Sequence, residues 1–118
     1  MGTLQIKRIV EDAGDGDGTR ILVDRLWPRG HTKASVKYDL WLRDVAPTTE
    51  LRRWFGHEAG RWQEFRKRYF AELKSNPEAW APIVDALRKS NVTLLFAAHD
   101  EEHNNAVALR EFLSARHS

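Results

Sequence analysis

The segment His99-Asp100-Glu101-Glu102-His103-Asn104-Asn105 gathers imidazoles, carboxylates and amides directly behind an apolar run. Imidazole is the side chain that exchanges protons near neutral pH, and a neighbouring carboxylate can fix its tautomer. His103 with Asp100 is therefore a candidate acid–base pair, and Asn104 beside them is a candidate ligand contact. Letter for letter, His99 to His103 also fits H-x-x-E-H, in which histidines one helical turn apart hold zinc beside a glutamate. That motif needs a helix already running at His99. The residues before it read as a strand and Asp100 as a helix N-cap, so no metal site is assigned.

A second polar turn, Asp24-Arg25-Leu26-Trp27-Pro28-Arg29-Gly30, offers a carboxylate, two guanidinium forks and an indole. Arg25 and Arg29 suit a phosphate or carboxylate, Trp27 a flat group attached to it, and Asp24 a share in proton handling. The plainer alternative pairs both arginines with surface carboxylates and packs Trp27 in the core. His57 follows Trp54-Phe55-Gly56 at an expected helix end, where a histidine commonly serves as a dipole partner. It is kept as a secondary ligand-binding candidate.

Both turns need strands to present them. Leu4 to Ile9 alternates apolar and polar residues, as a half-buried strand does, and turn residues 12–18 follow. That loop is too short for a helical crossover, so strand Arg20–Asp24 is either antiparallel to the first or separated from it in the sheet. Tyr38 to Val45 fits a third strand, with a helix as the alternative. Val92 to Ala98 is continuously apolar, the signature of a central strand buried on both faces.

Between these strands, Pro47 with Thr48 or Thr49 starts a helix carrying Leu51, Trp54 and Phe55. Trp62, Phe65, Tyr69 and Leu73 mark a second helix. Asn76-Pro77 opens a third with Trp80, Ile83, Val84 and Leu87 inward. A last helix, expected from Asp100, turns Ala106, Leu109, Phe112 and Leu113 to the core, which would place His103 on its inward side near the strand mouth. Ligands of open α/β sheets gather outside the carboxyl ends of parallel strands, so the two polar turns converge on one expected site.

Composition bounds the rest. A chain of 118 residues supplies one core, so residues 1–118 are read as a single domain. No apolar run approaches a membrane span and the start lacks a secretory layout, so a cytoplasmic protein without membrane contact is expected. Cysteine is absent, which removes thiolate nucleophiles and thiolate zinc sites. Asp15-Gly16-Asp17-Gly18 fails the calcium-loop register, the dinucleotide fingerprint lacks its third glycine, and the loop reads as a mobile connection. No cofactor is assigned. With 19 basic and 17 acidic residues, nucleic acid is permitted but not indicated. Arg61, Arg66, Lys67 and Arg68 interleave with glutamates, and Glu64 lies one turn before Arg68.

The segments Arg20 to Gly30, Ala46-Pro47-Thr48, Leu51 to His57 and Leu94 to Asn104 together resemble the domain-of-unknown-function family 488, in its YeaO-like branch. The resemblance spans nearly the whole chain. It implies a small bacterial or archaeal cytoplasmic protein with a three-layer α/β fold and no established activity, its signature segments being the two polar turns and that of His57. In that branch the place of His99 is commonly lysine, which further weakens the zinc pattern.

The pattern and the resemblance together predict a three-layer α/β domain, its mostly parallel or mixed sheet of about four strands flanked by helices. It binds a small anionic ligand, a nucleotide or phosphorylated metabolite, and hydrolysis or group transfer through activated water is the least demanding reaction. The alternatives are a nucleic-acid-binding accessory protein and a structural homodimer without catalysis.

Overall fold

A computed structural model describes residues 2–117. The strands are β1 (Leu4–Arg8), β2 (Thr19–Leu22), β3 (Leu40–Trp41) and β4 (Val92–Phe96), and the helices α1 (Thr49–Phe55), α2 (Trp62–Ser75), α3 (Pro77–Lys89) and α4 (Asn105–His117). The sheet order is β1-β4-β2-β3 with every pairing parallel. β1 and β2 are thus separated, as the short loop between them allows, by β4, all five residues of which are buried. The mixed alternative is not adopted.

All four helices pack on the face of the sheet that carries Ile21, Leu94 and Phe96. The other face holds Leu22 and Leu95 under a layer of irregular chain that contributes Ile9, Val36, Trp27 and Tyr38. The result is the three-layer globule expected, with loop segments in place of helices as the third layer.

Three local expectations change. The third strand is only Leu40–Trp41, because a 3-10 turn at Arg43–Val45 follows it; the buried Tyr69 hydroxyl donates to the Val45 carbonyl and fixes that turn. The glycine loop is pinned: the Asp17 carboxylate accepts from Lys7 at 2.8 Å and from Arg20, and Gln5 and Asn91 both donate to the Gly16 carbonyl. Finally, α4 begins at Asn105 and not at Asp100, because Asn104 supplies the cap by accepting the Val107 N–H at 3.0 Å.

The start of α1 is as read. Thr48 accepts the Leu51 N–H at 3.2 Å, and Gly56 ends the helix at φ 54°.

Candidate functional site

A cavity of about 970 Å³ opens at the carboxyl ends of β2 and β4. Its wall includes every residue singled out from the sequence: Asp24, Arg25, Trp27, Arg29, His57, Asp100, His103 and Asn104. Their side chains differ sharply in how much bonding capacity they have left.

Asp24 lies at the meeting of three elements. Its Oδ2 accepts the Ala97 N–H just beyond β4 at 2.9 Å, and its Oδ1 accepts the Asn105 amide of α4 at 3.2 Å. Burial pushes the Asp24 carboxyl above the ordinary carboxylate range, against these hydrogen bonds and the nearby Arg52 charge. Asn105 Nδ2 also donates to the Val23 carbonyl at 3.0 Å, which leaves its Oδ1 as an acceptor on the cavity wall.

His103 lies in the turn before α4, not on the helix, yet still reaches the cavity. Its Nδ1 meets Asp100 Oδ2 at 2.9 Å and its ring stands edge-on to Trp62, centroids 5.3 Å apart. Asp100 Oδ1 accepts the N–H groups of Glu102 and His103, folding the turn onto one carboxylate. The Glu102 N–H, then the His103 ring, hold the Asp100 carboxyl below the ordinary range. An aspartate bonded to one ring nitrogen of a histidine leaves the other for a proton acceptor or donor in the cavity.

Other predicted contacts are engaged by the fold itself. Asn104 caps α4 with its oxygen and donates its amide to the Asp100 carbonyl at 2.9 Å, and it is 3% exposed. The Arg25 guanidinium donates to the carbonyls of Pro47 and Ala46 at 3.1 and 3.0 Å, clamping the approach to α1. Trp27 donates to the His31 carbonyl at 2.6 Å and is boxed edge-on by Tyr38 and Trp41, so it is a wall of the cavity held from behind. His99 meets the Arg8 guanidinium at 3.2 Å, outside any helix, and shares no partner with His103.

The cations that remain are Arg29, Arg52 and Arg53, which line the cavity and whose guanidinium groups form no hydrogen bond or ion pair among the described residues. Arg52 and Arg53 are not among the residues the sequence singles out, because the apolar stripe of α1 dominates the local pattern. Two arginines flanking that stripe, just after the cap, were the available signal. His57 stands beside them at φ 59°, a left-handed conformation uncommon outside glycine.

The helical basic residues elsewhere are largely matched: Arg61 with Glu58, Arg66 with Glu111, Arg68 with Glu64 and Arg88 with Asp85. This is a mixed-charge surface. Among the described residues no group of three or more His, Asp or Glu side chains is placed to hold a metal ion, and no helix is long and apolar enough to cross a membrane.

Comparison with known proteins agrees with the family resemblance. A family model described as the inactive DUF488-N3 subclade matches residues 3–118. The chain is 39% identical over 110 residues to the uncharacterized protein YeaO of Escherichia coli (strain K12), covering 93% of this chain and 96% of that one. It is 36% identical over 113 residues to the uncharacterized protein Rv3073c of Mycobacterium tuberculosis (strain ATCC 25618 / H37Rv), covering 96% and 95% respectively. No solved structure matches the chain significantly. On the extent of the family match and of these relatives, the chain belongs to the DUF488-N3 family, in the subclade described as inactive.

Proposed function

We propose that the protein is a binding domain for a small phosphate-bearing anion, held in the cavity at the carboxyl ends of β2 and β4. The observation that carries this reading is the set of uncommitted guanidinium groups of Arg29, Arg52 and Arg53 around one concave site. Guanidinium groups that no protein acceptor holds repel one another and gain most from an anion that bridges them. Asp24 is already engaged by the Ala97 N–H and the Asn105 amide, and Asp100 by its own turn and His103.

Binding without turnover fits better than catalysis. The family model is described as inactive, the chain has no cysteine, and Thr49 supplies the hydroxyl among the lining residues. The His103–Asp100 pair is what supports the hydrolytic or transfer alternative, since it could activate a water. Nothing beside it in the wall offers a built nucleophile.

The test is titration calorimetry with inorganic phosphate and simple phosphomonoesters, repeated on Arg29→Ala, Arg52→Ala and Arg53→Ala. Millimolar or tighter binding that weakens about tenfold per arginine removed is expected, as for loss of a charge-assisted hydrogen bond. Absence of binding by every phosphate compound at millimolar concentration would refute the reading.

A further inference from the structure

We infer that the anion is the phosphate of a nucleotide whose base carries N–H donors, read by Asp24 and Asn105. This rests on the anion reading above and goes beyond it by naming the rest of the ligand.

A cavity of about 970 Å³ is far larger than a phosphate needs and lies at the upper end of sites that enclose whole organic ligands. The remainder of the wall specifies what fills it. Phe55, Phe65 and Trp27 line it; Phe55 and Phe65 stack on each other at 4.4 Å between centroids and are almost fully buried, so half-buried Trp27 is the ring with most surface to offer a ligand. A flat heterocycle stacks well on an indole face.

Two side chains on the same wall, Asp24 and Asn105, offer acceptors. Each oxygen of Asp24 accepts a single bond from the protein, so both retain lone pairs when the carboxylate is ionised. The donor end of the Asn105 amide is spent on Val23 and Asp24, and its Oδ1 has no protein partner among the described residues. A ligand body that presents only acceptors would face oxygen with oxygen. One with amino or imino N–H groups satisfies both residues, and sites built on such pairing strongly reject analogues that lack the donor. Rings, acceptors and a guanidinium cluster in one cavity match a nucleoside monophosphate with an amino-substituted purine.

The experiment is calorimetry on the full chain with inorganic phosphate, ribose 5-phosphate, AMP, GMP and the monophosphate of unsubstituted purine riboside, plus Asn105→Leu. At least one amino-bearing nucleotide should bind more than about tenfold tighter than both ribose 5-phosphate and the unsubstituted nucleotide. Asn105→Leu should erase that preference while keeping affinity for inorganic phosphate. Equal affinities for ribose 5-phosphate and the nucleotides, or no gain from the amino group, would overturn the inference and leave the anion reading standing. Failure of inorganic phosphate and every ester to bind would overturn both. The comparison among ligands uses the unaltered protein, so it holds even where the Asn105 variant does not fold.

Discussion

The Asp24 carboxylate accepts the backbone N–H of Ala97 at 2.9 Å, tying the chain just beyond β2 to the first residue beyond β4. Because Asp24 also holds Asn105, one side chain fixes both ends of the 97–104 turn that carries Asp100 and His103. The floor of the cavity and the orientation of its histidine therefore share a single anchor.

Replacing Asp24 with Ala strands the Ala97 N–H and one of the two Asn105 amide hydrogens and should cost about 1–3 kcal/mol. Asp24→Asn gives the pH test. The folded carboxyl titrates above its ordinary value of 3.8 because burial favours the neutral form. The native fold then binds more protons than the unfolded chain between those two values. Its contribution is fully present below the ordinary value and falls as pH rises through the folded one. The stability of wild type relative to Asp24→Asn, from urea unfolding, should accordingly decline as pH rises across that window. A constant difference would contradict the assignment.

Asp17 has the opposite sign. Burial alone would raise its carboxyl, but Lys7, the Gly14 N–H and Arg20 together hold it below 3.8. That stability is present above the ordinary value and lost as pH falls through the folded one. Removing a single partner of a buried pair leaves uncompensated charge, so Asp17→Ala should cost about 3 kcal/mol near neutral pH and much less in acid. Urea midpoints at about pH 7 and about pH 3 measure both.

How much of this was readable follows from the range of the interactions. The apolar run Val92 to Phe96 announces a central strand, and the two polar turns follow strands, so the place of the cavity was legible from local pattern alone. The start of α4 was misplaced because Asp100, Glu101 and Glu102 satisfy the same preferences as a real first turn; Asn104 wins by capping Val107 while anchored to the Asp100 carbonyl. That shift hid Asn105. The Asp17 cluster was hidden because only Arg20, three residues on, is a local partner; Lys7 comes from β1, which β4 separates from β2, and meets Asp17 only in the folded loop.

His57 separates a site residue from a structural one. At φ 59° its side chain carries left-handed strain, which glycine would relieve at the cost of a more flexible unfolded chain. His57→Gly should leave stability unchanged or raise it by up to about 1 kcal/mol while weakening phosphate binding severalfold. A fall in melting temperature with unchanged affinity would identify His57 as a helix-end dipole partner instead.

Asn104 should behave in the reverse way. Its oxygen caps α4, its amide supports the Asp100 carbonyl, and it is 3% exposed, so both polar groups serve the fold and burial shields what capacity they have left. Asn104→Ala should lose about 1–2 kcal/mol from the missing cap and the unpaired carbonyl. Asn104→Asp keeps the acceptor and favours the helix dipole, but it cannot donate to Asp100, so it should recover part of that loss. Phosphate affinity, measured where each variant is fully folded, should stay within about twofold for Asn104→Asp, because the cap restores the turn that holds His103. A large affinity loss in Asn104→Asp with stability retained would place Asn104 in direct contact with the ligand.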